Sequence, residues 1–263
     1  GRGDLQVTLR TAALVTRNEL RQLSAGSSIG PAVDADILAV SDTSIRYRAL
    51  RAYYVICATP ATATSITVDR SAPSPLAAEM RGPAAGDSLL LFREGDSTRS
   101  ADDRWMPLAI SAVSAAPSSC RFPWSGSPRP GYTFTLSAPG IPGSVDSRGV
   151  FAGAPVRTFE TATLRSYLSD GQRWLGIDID GGGVQPLAGP LRSGSGAPGF
   201  ELWYEDSAGR ALAPSATSIP AIRGVRMAVR GVGRRVVAEG GGARVPVGDS
   251  LFPFVFLRNS SPP

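Results

Sequence analysis

Two pairs of neighbouring carboxylates are the residues best suited to acid–base chemistry: Asp102 with Asp103, and Asp178 with Asp180. Acid–base catalysis needs two carboxylates that share a cleft and differ in pKa. Asp180 precedes Gly181, however, and an Asp-Gly pair between apolar runs is typical of a hairpin turn. The chain contains no histidine, which excludes serine–histidine triads and histidine-ligated metals. We therefore predict that the protein is not an enzyme, and we assign it no catalytic residue, metal or cofactor.

The two cysteines, Cys57 and Cys120, lie far apart in the chain and do not form a CxxC pair. Two cysteines are too few for a zinc site. In a β-rich chain with many Gly and Pro residues they are typical of a structural disulfide made in an oxidising compartment, and two buried free thiols are the alternative. We favour the disulfide, which indicates an exported protein.

Arginine supplies all 27 basic residues, which outnumber the 22 acidic residues and give a net charge of +5. Guanidinium groups bind phosphates and carboxylates through paired hydrogen bonds. A row of arginines could follow a phosphate backbone, and its members are Arg223, Arg226, Arg230, Arg234 and Arg235. Aromatic residues that could stack on bases are not interleaved with this row. A solvated arginine face is therefore the first interpretation, and a polyanion such as DNA is the alternative.

The opening residues, 1–26, predict one amphipathic helix in which Asp4 is a suitable N-cap and Gly26 a suitable C-terminal stop. Apolar residues recur there at helical spacing and form one stripe, which includes Leu5, Leu9, Ala13, Leu20 and Leu23. An isolated helix of about 20 residues is only marginally stable in water. The stripe must therefore pack against another surface, and the protein's own sheet is the simplest choice.

Beyond Pro31 the apolar residues alternate with a period of two, which predicts strands. In SIRYRALRAYYVIC, at 44–57, the alternation changes phase at Arg51, which predicts a bulge or a bend. In IRGVRMAVRGV, at 222–232, glycine and valine favour a strand with an arginine-bearing face over a helix. The expected fold class is α+β and mostly β, with one N-terminal amphipathic helix packed on antiparallel β-sheets.

A segment rich in Gly, Pro and Ser, APGIPGSVDSRG, interrupts the strands near the middle of the chain. Such a composition marks either a long loop or a boundary between two β-rich lobes. We predict a boundary there, which divides the chain into the helix at 1–26, a first β-rich lobe at 27–138 and a second at 139–263.

Several short motifs follow one another in a recognisable order: the turn at 186–188 (PLA), the strand at 202–209 (LWYEDSAG), the strand at 222–229 (IRGVRMAV) and the end at 257–259 (LRN). The opening helix, DLQVTLRTAALVTRNELRQL at 4–23, precedes them. This arrangement resembles the minor pilins and the J-type minor pseudopilins of type IV pilus and type II secretion systems. The resemblance is confined to the opening helix and the C-terminal strands, and its motifs are degenerate.

The resemblance implies a pilin-like fold and a non-enzymatic subunit that helps to initiate or cap a filament, with other pilin or pseudopilin subunits as partners. It implies that the apolar stripe contacts neighbouring subunits as well as its own sheet. The family also has a prepilin leader and an apolar half-helix in the inner membrane, which we expect to precede residue 1. The protein would lie on the periplasmic side of the inner membrane or in an extracellular filament. The alternatives are a secreted or tip-located module that binds DNA or a surface ligand, and an unrelated secreted β-sandwich.

Overall fold

A computed structural model describes residues 2–25, 35–70, 82–95, 103–141, 149–193, 197–238 and 244–257, with the backbone alone at 2, 234–238 and 244–247. The described residues form, in chain order, helix α1 (Arg2–Arg21) and strands β1 (Ile37–Val40), β2 (Ser44–Val55), β3 (Ser65–Asp69), β4 (Ser88–Arg93), β5 (Arg104–Cys120), β6 (Arg129–Leu136), β7 (Pro155–Ser169), β8 (Gln172–Ile179), β9 (Val184–Leu191), β10 (Phe200–Glu205), β11 (Ala211–Leu212), β12 (Gly224–Ala238), β13 (Arg244–Leu251) and β14 (Phe254–Phe256). The predicted class, mostly antiparallel β with one N-terminal helix, is confirmed.

Two compact units divide the chain. Unit 1 comprises residues 1–49 and 161–263, and unit 2 comprises residues 50–160. The predicted lobes, 27–138 and 139–263, do not coincide with these units. Alternation along the sequence shows where a strand lies but not which strands it pairs with, so it could not show that residues 161–263 join residues 1–49 in one unit. In the structure, unit 2 is instead an insertion between two separate parts of unit 1.

Strand β2 belongs to both units, and its burial pattern changes where the chain passes from one to the other. Ile45, Tyr47 and Ala49 are buried in unit 1, whereas Ala52 and Tyr54 are buried in unit 2. The buried positions therefore change from odd to even numbers near Arg51. The phase change predicted from the sequence at this position is confirmed.

Strand β7 is shared in the same way. Its residues from Val156 to Phe159 pair with β4 in unit 2. Its residues from Ala162 to Ser169 pair with β8 in unit 1, through a hairpin turn at Asp170 and Gly171. Both turn residues have positive φ, 50° and 73°, which suits the tight two-residue turns that an Asp-Gly pair favours.

The sheet of unit 1 is antiparallel and is organised around β12. Strands β11, β10, β12, β9, β8 and β7 follow one another in its order. Val225 of β12 pairs with Tyr204 of β10 and also with Val255 of β14. Further along, β12 pairs with β13. The predicted strand at 222–232 is thus confirmed. It is a central strand because it has a partner on each side, and its buried side chains (Val225, Met227 and Val229) lie in the core.

Helix α1 packs on the sheet of unit 1 through its predicted apolar stripe. Leu9 is fully buried, and both Leu5 and Leu9 lie against Gly231 of β12. A Cβ atom at position 231 would lie 2.8 Å from Cδ1 of Leu5, so glycine allows the helix to approach the strand closely. Among the described helices, none has the length and apolar character needed to cross a lipid bilayer.

The ends of α1 differ from the prediction. The helix already includes Arg2, so Asp4 lies within the first turn and is not the N-cap. A carboxylate in the first turn still interacts favourably with the positive end of the helix dipole. The helix ends at Arg21, and Gly26, the predicted stop, lies outside the described residues.

Unit 2 is an antiparallel assembly in which β5 pairs first with β4 and then with β6. Its core contains an aromatic group in which the rings of Tyr54 and Phe134 meet edge to face at 5.7 Å. Cys57 and Cys120 are fully buried and form a disulfide, packed beside Phe122. The predicted disulfide is therefore confirmed.

Candidate functional site

The helix residues predicted to form an assembly face are used by the protein's own core. Leu5, Leu9, Ala13, Leu20 and Leu23 are all buried, with at most 8% exposure. Leu5, Leu9, Leu20 and Leu23 belong to the main hydrophobic cluster of unit 1. Little of their surface is left for a neighbouring subunit. The expectation that one stripe would serve both surfaces therefore does not fit the structure.

A second apolar surface of α1 lies in solvent. Val7, Leu14 and Val15 have exposed fractions of 65%, 57% and 40%; we call these three residues the exposed helix stripe. Leu14 and Val15 follow Val7 by seven and eight residues, which is about two helical turns and places the three along one side of the helix. Sequence reasoning missed them because the leucine stripe accounted for the amphipathic pattern. This exposed helix stripe is an apolar surface of α1 that its own sheet does not cover.

The predicted arginine row is not one continuous cationic face. Arg226 and Arg230 lie on one face of β12, opposite its buried valines. Arg223 precedes the strand, and its guanidinium donates hydrogen bonds to the carbonyl oxygens of Pro220 and Ile222. The side chains of the remaining two, Arg234 and Arg235, lie outside the described part of the chain.

Each arginine of the described face is paired with a glutamate of β10. Nε of Arg226 lies 2.6 Å from Oε1 of Glu205, and this hydrogen bond raises the pKa of Arg226. Arg230 is nearly buried and donates to Oε2 of Glu201 at 3.2 Å and to the carbonyl oxygen of Pro198 at 2.6 Å. The two pairs bring two positive and two negative charges together. This arrangement weakens the attraction that a polyanion would feel.

An aromatic cleft lies on the same face of unit 1. It has a volume of about 480 Å³, and its lining includes Trp203, Phe252, Glu205 and Arg226. Trp203 is 38% exposed and Phe252 is 64% exposed. We call these four residues the aromatic cleft. In the sequence, the stretches ELWYE and FPFVF could have indicated this cleft. Successive side chains of a strand point to opposite faces, so Trp203 shares the outer face of β10 with Glu201 and Glu205.

The carboxylates considered for acid–base chemistry occupy separate positions. Asp103 accepts a hydrogen bond from the backbone N–H of Gly95, and Asp102 lies outside the described residues. Oδ2 of Asp178 lies 3.6 Å from a guanidinium nitrogen (Nη2) of Arg165 on the neighbouring strand β7. Asp180 has a positive φ of 50° in the turn between β8 and β9, as the Asp-Gly pair predicted. Across the described ranges, His, Cys, Asp and Glu do not form any group of three or more that could hold a metal ion.

Two candidate partner-binding surfaces of unit 1 are the exposed helix stripe and the aromatic cleft. Each carries large apolar side chains in contact with solvent, which is the usual mark of an interaction site. In comparisons with known proteins, the chain matches no family model, no curated protein and no solved structure.

Proposed function

We propose that the protein is a non-enzymatic minor pilin- or pseudopilin-like subunit that helps to initiate or cap a type IV pilus or a type II secretion pseudopilus. The observation that carries the proposal is that α1 has two apolar faces. Leu5 and Leu9 hold the helix on its own sheet, while the exposed helix stripe remains in solvent. A subunit joined to others through its helix needs both faces.

The exposed helix stripe contains enough apolar surface to contribute to such a contact. Burying a valine or leucine side chain completely contributes roughly 1.5–3 kcal/mol. The exposed arginines at 10, 17 and 21 lie on the same helix and can remain at the rim of a contact, where charges stay hydrated. The partners in this proposal are other pilin or pseudopilin subunits, each contributing an apolar helix face.

The disulfide supports a position outside the reducing cytosol. Cys57 and Cys120 are bonded and fully buried, and such bonds form and persist in oxidising compartments. The proposal therefore places the protein on the periplasmic side of the inner membrane or in an extracellular filament.

Replacing Val7 and Leu14 together by glutamate tests the proposal. Both side chains are exposed, so the free subunit should keep its fold and its melting temperature. Two charges in an apolar helix contact should abolish recovery of the subunit with filament components from sheared-filament and membrane fractions. The matched control is Leu168→Glu, because Leu168 is equally exposed at 67% but lies on strand β7.

The readout is co-purification of the tagged subunit with other pilins, measured in the organism that makes the protein. Normal co-purification of the Val7→Glu/Leu14→Glu variant would contradict the proposal. So would equal loss in the Leu168→Glu variant, because the helix would then have no special role.

A secreted or tip-located binding module is the second candidate, and the aromatic cleft favours it. DNA is the less favoured ligand for such a module, because Arg226 and Arg230 are paired with glutamates. Retention on a DNA column at low salt, lost as the salt concentration rises, would support a polyanion-binding function. We expect no retention.

A further inference from the structure

The walls of the aromatic cleft are large apolar rings that the fold leaves in solvent. Trp203 and Phe252 line the cleft with exposed fractions of 38% and 64%. Phe256, at the nearby strand β14, is 71% exposed and packs edge to face on Phe254 at 4.5 Å. Exposed aromatic rings around a concavity of about 480 Å³ are typical of a small-ligand site, whose volumes run from about 300 to 1,000 Å³.

Charge at the cleft selects against charged ligands. The Arg226–Glu205 pair lines the cleft, and the Arg230–Glu201 pair lies beside it on the same two strands. An anion would be attracted by the guanidinium groups and repelled by the carboxylates, and the reverse holds for a cation. A neutral ligand with hydroxyl groups can instead donate to Glu205 and accept from Arg226 without separating the pair.

The cleft is held in place before any ligand arrives. The guanidinium carbon of Arg226 lies 5.0 Å above the ring of Phe254, and that of Arg230 lies 5.4 Å from the ring of Phe252. Phe254 can occupy its position because residue 224 is glycine: a Cβ atom there would lie 2.7 Å from its ring. A rigid site loses little conformational entropy when it binds, which improves affinity.

We propose that the aromatic cleft binds a neutral carbohydrate. One face of a sugar ring carries C–H bonds with partial positive charge, which pack on the negative face of an aromatic ring such as Trp203. The hydroxyl groups at the rim of the sugar match the donor and acceptor that Arg226 and Glu205 provide. This binding site goes beyond the proposed filament function, because it lies on the sheet of unit 1 and does not involve the exposed helix stripe.

Titration calorimetry of the intact protein with neutral oligosaccharides tests the proposal, with lactose, maltotriose, cellotriose and tri-N-acetylchitotriose as probes. We expect saturable binding of at least one probe with a stoichiometry of one. Trp203→Ala should weaken that binding at least tenfold. The matched control is Trp124→Ala, which removes another exposed tryptophan, 68% exposed in unit 2, and should leave the affinity unchanged.

Two further variants keep the proposal testable. Phe252→Ser removes the second wall of the cleft. Because Phe252 is highly exposed, this variant should keep its fold even if Trp203→Ala does not. Glu205→Gln keeps the shape of the side chain but leaves Arg226 without its carboxylate, so it should weaken neutral binding and create binding of dextran sulfate. The proposal is overturned if no neutral probe binds, if Trp203→Ala and Phe252→Ser bind as the wild type does, or if the wild type binds dextran sulfate alone.

Discussion

The side chain of Tyr204 links strand β10 to the connection between β1 and β2 in unit 1. Its ring is buried and its hydroxyl group donates a hydrogen bond of 2.9 Å to the carbonyl oxygen of Ser41. Burial raises the pKa of Tyr204 well above its ordinary value of 10.0, and the negative charge of Asp42 raises it further. The folded protein therefore keeps this proton under conditions in which the unfolded chain loses it.

Tyr204→Phe should lower the free energy of unfolding by about 1 kcal/mol at pH 8, because the partly buried carbonyl oxygen of Ser41 loses its donor. The pH dependence follows from the raised pKa. Stability from the protonated hydroxyl is complete below pH 10.0 and is lost as the pH rises towards the folded-state pKa. Urea denaturation at pH 8 and above pH 10 should show a smaller alkaline loss in the variant. Tyr167→Phe, at a partly exposed position, is the control, and an equal effect there would refute this role of Tyr204.

The charged residues of the cleft illustrate what sequence reasoning could not reach. The arginines of 222–232 were visible, and so was their placement opposite Val225 and Met227. Their pairing with Glu201 and Glu205 was not visible, because it depends on the register between β10 and β12, which puts Trp203 opposite Arg226. Register between distant strands is a long-range property, and alternation within one strand carries no information about it.

At the scale of elements, α1 has two apolar faces with different roles. Local periodicity was enough to predict the helix and the strands, including the change of phase at Arg51. It also placed Leu9 in the apolar stripe and left Leu14 outside it, and in the structure Leu9 lies against Gly231 while Leu14 is exposed. Periodicity did not show that Val7, Leu14 and Val15 together form a second apolar surface, because the leucine stripe already accounted for the amphipathic pattern.

Alanine substitutions on the two faces should therefore have very different effects on stability. Leu9→Ala removes a fully buried side chain and should lower the free energy of unfolding by about 2–5 kcal/mol. Leu14→Ala removes an exposed side chain and should change it by no more than about 0.5 kcal/mol. Thermal or urea denaturation followed by circular dichroism measures both. Similar losses in the two variants would mean that the assignment of the helix faces is wrong.

At the scale of the whole molecule, the disulfide belongs to one unit. Cys57 and Cys120 are separated by 63 residues, and both lie in unit 2. A cross-link over a loop of this length stabilises a protein by roughly 4 kcal/mol if the effect is the loss of loop entropy in the unfolded chain. The stabilisation should therefore act first on residues 50–160.

The double variant Cys57→Ser/Cys120→Ser should exchange amide hydrogens faster in unit 2 than the wild type does, while the strands β8 to β12 of unit 1 keep their protection. Peptide-level hydrogen exchange measures both units in one experiment. Wild-type protein treated with a reductant under mild denaturation should reproduce the pattern. Uniform loss of protection over both units would instead show that they unfold together.

The insertion of unit 2 into unit 1 also sets an order of events while the chain is being synthesised. Residues 50–160 are contiguous, so unit 2 has its complete sequence as soon as that stretch emerges. Helix α1 emerges earlier, but strands β9, β12, β13 and β14, on which it packs, come later. Closing such long-range contacts is slow. The apolar stripe of α1 therefore has no strands to pack on while unit 2 is being synthesised. During that interval a chaperone or a membrane surface would have to shield it from water.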